Sequence, residues 1–132
     1  MLAHITAVKA LLTPLGWPVY VVEAPSLPTY PYVIVWGSAG QPGIEPGVAG
    51  SSDMSDLLGV TVVDTTPENA LIAAAAVRAV LDGAHPTVTG RAVWLSLTSS
   101  EPVTVDRDVT LPATNRHPGY VVDRYQLIST PA

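Results

Sequence analysis

The sequence predicts an α+β fold, in which one mostly antiparallel β-sheet carries two α-helices on one of its faces. Apolar residues recur every three or four positions in two segments, which predicts the helices. Five other segments are rich in β-branched and aromatic residues, which predicts strands. The predicted order is helix, three strands, helix and two strands, which is typical of helices segregated to one face of an antiparallel sheet.

The first helix is predicted over Leu2–Leu12, and Pro14 ends it. Strands are predicted next over Val19–Glu23 and Tyr32–Trp36. The second of these strands is apolar on both faces, which predicts a central position in the sheet.

The second helix has the clearest boundaries in the chain. Thr66 is a candidate N-cap, Pro67 is suited to the first helical position, and Glu68 complements the helix dipole. We expect this helix to run to about Asp82, with Gly83 as its C-terminal stop.

Three further strands are predicted over Leu57–Asp64, Ala92–Thr98 and Gly119–Ser129. The last is the longest, and its alternation places Asp123 on one face and Arg124 on the other.

Two long connections interrupt these elements. Residues 38–56 form a loop rich in glycine and proline between two adjacent antiparallel strands, and residues 99–118 form a second arm. Within the second arm, Val103–Thr110 alternates and predicts an extended ribbon. Connections of this length are usually functional or disordered, and we expect both to reach neighbouring subunits. Residues 1–132 are predicted to form a single domain.

Charge is scarce in this chain. Charged residues make up 13% of the 132 residues, about half of what a soluble domain usually carries, and the net charge is −5. Low charge indicates either burial against partner subunits or a monomer with a Ser/Thr-rich surface. The six basic residues are scattered, which argues against a dedicated nucleic-acid binder.

The few charges that cluster are candidates for a subunit interface, because opposite charges on neighbouring copies set register and orientation. A solvated surface is an equally good interpretation of Asp106 and Asp108, and cation binding is a third. The candidate interface residues are Asp106, Arg107, Asp108, Asp123 and Arg124, together with Asp53 and Asp56 at the end of the Gly/Pro loop.

No catalytic, cofactor-binding or metal-binding residue is predicted. The chain has no cysteine, and its three histidines are not at metal-ligand spacing. The sequence lacks a G-x-S-x-G elbow, a Walker pattern and G-x-G-x-x-G. No stretch approaches the ~20 apolar residues of a membrane span. We therefore expect no enzyme activity, cofactor or membrane association.

The chain resembles the tail terminator proteins of long-tailed bacteriophages (siphoviruses). The likeness covers most of the chain and lies in the order, length and character of its elements. Four segments show this likeness: the N-terminal helix ending in Pro14-Leu15-Gly16, the Pro31–Val35 strand, Val60–Asp64 leading into the alanine-rich helix Pro67–Leu81, and the final Tyr120–Tyr125 strand.

This resemblance implies a ring of identical subunits, as a hexamer, that caps the tail tube at the phage neck. Such a ring stops tail polymerisation and joins the tail to the head-closure or connector proteins, while DNA passes through its lumen without specific binding. The implied location is the virion, after assembly in the host cytoplasm.

Three alternatives remain open at this point. They are another neck component, such as a head-closure or head–tail adaptor protein; a small non-catalytic binding module; and a host enzyme that uses the Gly/Pro loop as a lid.

The charge of the chain is compatible with a ring around DNA, because an acidic surface suits a lumen that DNA should not adhere to. Closure of such a ring needs two different patches that meet.

Overall fold

One six-stranded sheet forms the centre of the molecule. The structure, a computed structural model, describes residues 1–38 and 53–132. Its elements are α1 (Leu2–Leu12), a short 3-10 helix (Thr13–Leu15), β1 (Val19–Val21), β2 (Tyr32–Gly37), β3 (Met54–Asp64), α2 (Pro67–Leu81), β4 (Arg91–Ser100), β5 (Thr104–Val105) and β6 (Gly119–Pro131).

The strand order is β1-β2-β3-β6-β4, with β5 also paired to β6. β1 runs parallel to β2, and the pairs β2–β3, β3–β6, β4–β6 and β5–β6 are antiparallel. This confirms the predicted α+β class and the predicted inner position of β2. It also confirms that the loop after β2 connects two adjacent antiparallel strands.

Both helices cover the same face of the sheet, as predicted. Every second residue of β2, β3 and β6 is buried on that face, which is the alternation expected of a half-buried antiparallel sheet. The largest fully buried side chains of this core are Leu12, Leu58, Leu81, Leu95, Tyr125 and Leu127.

The ends of α2 agree with the sequence signals. The Thr66 hydroxyl accepts a hydrogen bond from the backbone N–H of Asn69 at 3.1 Å, and Pro67 is the first helical residue. The helix ends at Leu81, one residue before the predicted end, and Gly83 has a positive φ of 77°. Glycine adopts this backbone conformation without steric cost.

The chain beyond α2 covers the outer edge of β4. The backbone of Leu95 exchanges hydrogen bonds of 3.0 Å with Gly83 and Ala84, and the Asp82 carboxylate accepts one from the N–H of Leu97, also at 3.0 Å. Exposed strand edges invite pairing with another chain. This stretch of β4 is therefore occupied by its own chain.

The first strand is shorter than predicted. β1 ends at Val21 because Val22 has a φ of 72°, and the N–H of Glu23 bonds back to the carbonyl of Val21 at 2.9 Å. This hydrogen bond closes a three-residue turn, whose positive-φ form is rare and strained. The prediction that the strand extends to Glu23 was therefore wrong.

The second arm folds back against its own chain. Its first two residues, Ser99 and Ser100, extend β4 and pair with β6. Within Val103–Thr110, only Thr104–Val105 pairs with β6, so the predicted ribbon is wrong for all but two residues. The tip of the arm lies beside the segment that precedes β2, where Leu27 and Tyr30 line one cavity with Val109 and Leu111.

Candidate subunit interface

Asp123 is one of the residues predicted to lie at a subunit interface, and the structure places it inside the molecule. Only 2% of it is exposed, on the helix-covered face of β6. Arg78 of α2 binds both of its carboxylate oxygens at 3.0–3.2 Å, and also donates to the Ser100 hydroxyl at 2.9 Å. Hydrogen bonding to Asp123 raises the pKa of Arg78. The Asp123 charge thus joins α2 to the sheet rather than facing a neighbour.

Arg124 points to the opposite face of β6, which the helices leave open. Its guanidinium donates to the Glu101 carboxylate at 2.7 Å and lies 5.7 Å from the centre of the Trp36 ring. About a third of the Arg124 side chain and half of the Glu101 side chain are exposed. An exposed pair contributes little to stability, so this side chain is available for contact with another subunit.

Asp106, Arg107 and Asp108 form a turn instead of a strand. The Asp106 carboxylate accepts a hydrogen bond from the N–H of Asp108 at 3.2 Å. Aspartate competes with strand pairing by bonding to the backbone two residues ahead. The predicted ribbon therefore does not include these residues, although Arg107 and Asp108 are exposed as an interface would require.

Asp56 is buried and lies within β3, which begins at Met54, so the last three residues of the loop predicted over 38–56 belong to a strand instead. Its carboxylate accepts hydrogen bonds from the Ser38 hydroxyl and, at 2.8 Å, from the N–H of Leu57. The Ser38 contact joins the two ends of the loop across β2 and β3. Asp53 is half-buried. Most of the predicted arm, residues 39–52, lies outside the described part of the chain.

The open face of the sheet is unusually apolar. In most half-exposed antiparallel sheets, the solvent face is polar. Here the rings of Tyr20 and Tyr30 both contact Tyr32, with centroids 5.9 and 5.4 Å apart. The register adds further apolar and aromatic side chains on this face, namely Ile34, Trp36, Trp94, Val122 and Ile128.

The outer face of α2 is also apolar. Leu71 is 51% exposed and Ile72 is 70% exposed, and Ala75 and Ala79 continue their row at helical spacing. A helix that is apolar on both sides is typical of a buried position. The molecule therefore exposes apolar surface on both of its layers, which sequence periodicity did not single out.

His4 and Ser129 form a buried contact that sequence spacing does not indicate, because the residues are 125 positions apart. The His4 Nε2 atom lies 2.8 Å from the Ser129 hydroxyl, and Arg91 donates to the same hydroxyl. A serine nucleophile needs such a base, but Ser129 is fully buried and His4 is 5% exposed. A substrate cannot reach this hydroxyl, so the contact serves the packing of α1.

The described residues, 1–38 and 53–132, contain no cluster of three or more histidine or acidic side chains arranged to hold a metal ion. Within the same ranges, no helix has the length and apolarity needed to cross a membrane.

Comparison with known proteins gives a fold relationship. No protein-family model matches the chain, and no curated protein matches it either. A chain in the structure of the virion of a native gene transfer agent (GTA) particle superimposes with a TM-score of 0.54. The match covers 93% of this chain and 90% of that chain, at 16% sequence identity. At this identity, the likeness shows that the two chains share a fold.

Proposed function

We propose that this chain is a structural protein of a phage-like virion and, within that class, a tail terminator. In this role a closed ring, as a hexamer, caps the tail tube, stops its polymerisation and joins the tail to the head-closure or connector proteins. The observation that carries the proposal is the fold shared with a GTA virion chain over 93% of the sequence. No catalytic activity, cofactor or membrane is part of this role.

The apolar surfaces support self-assembly. The open sheet face and the outer face of α2 lie on opposite layers of the molecule, so one copy presents two different apolar patches. Contact between different patches on successive copies generates a ring when the rotation closes. Arg124, on the open face, and the exposed Arg107 and Asp108 are proposed to orient these contacts.

The charge distribution supports passage of DNA through the ring without specific binding. The net charge is −5, and the guanidinium groups of Arg78 and Arg124 are both paired with carboxylates of their own chain. Binding to duplex DNA relies on basic side chains that replace phosphate counterions. A protein with a net negative charge repels the phosphate backbone, which lets DNA pass instead.

Deleting the gene in the producing phage-like element tests the role. Without a terminator, tail tubes should grow beyond their normal length and remain separate from heads, and a plasmid copy should restore both properties. Electron microscopy measures the tail lengths. Tubes of normal length that fail to join heads would contradict the terminator role and indicate a head-closure or adaptor protein. Normal joined particles would contradict a virion role altogether.

A further inference from the structure

A cavity of about 330 Å³ lies where the second arm meets the N-terminus of α2. It is lined by Pro67, Val105, Arg107, Asn115, Arg116 and His117. Two of the chain's six basic residues therefore line one small cavity, in a protein whose net charge is −5. Two guanidinium groups that line one cavity can both donate hydrogen bonds to an anion placed there.

These two arginines differ from Arg78 and Arg124 in having no acidic partner of their own. Arg78 is paired with Asp123 and Arg124 with Glu101. Among the described residues, neither Arg107 nor Arg116 forms an ion pair, although both are exposed. A guanidinium fork is suited to bidentate binding of a carboxylate or phosphate.

Two further groups border the cavity, namely the His117 ring and the amino end of α2. The Nδ1 atom of His117 lies 2.6 Å from the Val109 carbonyl oxygen, so Nδ1 carries a proton and donates it there. This bond holds the ring in place beside the arginines. Pro67 is the first residue of α2, and the amino end of a helix carries partial positive charge.

Among the acidic residues that the structure describes, one strong candidate for this anion is left. Most acidic side chains in the described ranges already accept hydrogen bonds, form ion pairs or make another contact. Three exposed ones have no such partner, namely Glu23, Glu68 and Asp108. Glu68 and Asp108 directly follow cavity residues in the sequence, so they belong to the same patch. Glu23 alone is remote from it.

Glu23 lies at the opposite corner of the sheet from the cavity. It follows β1, the edge strand, at the end where Val21 pairs with Val35. The cavity is at the other end, where β5 pairs with Gly119 and Tyr120. Glu23 is presented by the turn at Val22, whose φ of 72° is strained for a β-branched residue. Such strain is concentrated at functional sites.

We propose that the Arg107–Arg116 cavity of one copy binds the Glu23 carboxylate of the next copy. Because the two groups lie at opposite corners, the contact joins different patches and repeats from copy to copy. The exposed and unpaired Glu23 carboxylate has the charge that complements the two unpaired arginines, and this favours a second copy as the occupant. The inference rests on the proposed self-assembly and specifies which residues orient it.

Charge reversal and charge exchange test the contact in the full-length chain. Arg107→Glu and Arg116→Glu should each weaken self-association at least ~10-fold by sedimentation equilibrium. Lys9→Glu is the matched control, because Lys9 is an exposed cation on α1 and the change in net charge is identical. Glu23→Arg should also weaken association, and combining Glu23→Arg with Arg116→Glu should recover most of the loss.

The outcomes separate this inference from the proposed function. If the wild-type chain assembles and the cavity variants assemble as well as Lys9→Glu, the inference fails and the virion role stands. A wild-type chain that stays monomeric at all concentrations overturns the self-assembly and the contact with it. Binding of duplex DNA that depends on Arg107 and Arg116 would identify a phosphate site and overturn the assignment to Glu23.

Discussion

Arg78 and Asp123, 45 residues apart in the sequence, form a forked ion pair that joins α2 to β6. The Nη2 atom lies 3.0 Å from Oδ1 and the Nε atom 3.2 Å from Oδ2. Asp123 is almost fully buried, whereas 39% of the Arg78 side chain is exposed. The arginine therefore remains partly hydrated while it neutralises a carboxylate inside the core.

Arg78→Leu should destabilise the protein strongly, because it leaves the Asp123 carboxylate buried without its counter-ion. Breaking a buried pair usually costs 3–5 kcal/mol, and the exposure of Arg78 reduces our expectation to about 2–3 kcal/mol. Urea denaturation measures the change in the free energy of unfolding. Arg124→Leu is the control, since its exposed pair with Glu101 should contribute about 1 kcal/mol or less. Equal losses in the two variants would contradict this account.

Gly59 should not tolerate even a methyl group, because the Trp36 ring lies directly over it. A Cβ atom at Gly59 would lie 2.1 Å from the ring, and Trp36 and Gly59 are paired across β2 and β3. Gly59→Ala should displace the ring, break its 3.1 Å bond to the Thr61 hydroxyl, and cost about 1–3 kcal/mol of stability.

Near-ultraviolet circular dichroism, which is sensitive to tryptophan packing, should show the displacement of the Trp36 ring directly. Gly37→Ala is the matched control on the same strand as Trp36, since the closest atom to its Cβ would be the flexible end of Met1 at 3.2 Å. An unchanged spectrum and stability in Gly59→Ala would show that the ring has another position available.

Tyr125→Phe should stabilise the protein. The Tyr125 side chain is fully buried and its hydroxyl has no hydrogen-bond partner, and burial raises the pKa of this group. Removing an unsatisfied buried polar atom should raise the free energy of unfolding by about 1 kcal/mol. Tyr120→Phe, at a half-buried position of the same strand, should change it little. A loss of stability in Tyr125→Phe would indicate a bound water at the hydroxyl.

Local sequence patterns predicted most helices and strands, but they did not predict which distant side chains would contact each other. The Thr66 cap and the alternation of β6 depend on neighbouring residues, so the sequence reveals them. The partner of Asp123 depends on how α2 crosses β6, and no local pattern encodes that. The Asp106 turn was missed because an alternating segment resembles a strand when aspartate–backbone bonding is ignored.

Arg124→Glu should weaken self-association while leaving the fold nearly intact. Its pair with Glu101 is exposed, so we expect a loss in the free energy of unfolding of about 1 kcal/mol or less. Reversing the charge on the open sheet face should nevertheless disturb a neighbouring subunit. Glu101→Gln is the control, because it removes the same intrachain pair without reversing a charge on β6. Assembly equal to that control would exclude Arg124 from the interface.

His4 makes the docking of α1 sensitive to acid. Arg91 donates to the Ser129 hydroxyl, which leaves the hydroxyl proton free to bond to Nε2 of a neutral His4. Burial is the main cause that lowers the pKa of His4 below 6.5, and the charges of the N-terminal amino group and Arg91 lower it further. The folded protein therefore holds the neutral imidazole, whereas the unfolded chain takes up a proton near pH 6.5.

Stability should consequently fall as the pH drops below 6.5, because the unfolded state then binds more protons than the folded state. The loss should level off only once the pH passes the lowered pKa of His4 in the folded protein. His4→Gln, which is neutral at every pH, should remove this part of the pH dependence in urea titrations between about pH 5 and pH 8. His85→Gln, which removes an exposed imidazole, should retain it. If the His4→Gln and wild-type profiles run parallel across this range, His4 is protonated equally in both states and does not link α1 docking to pH.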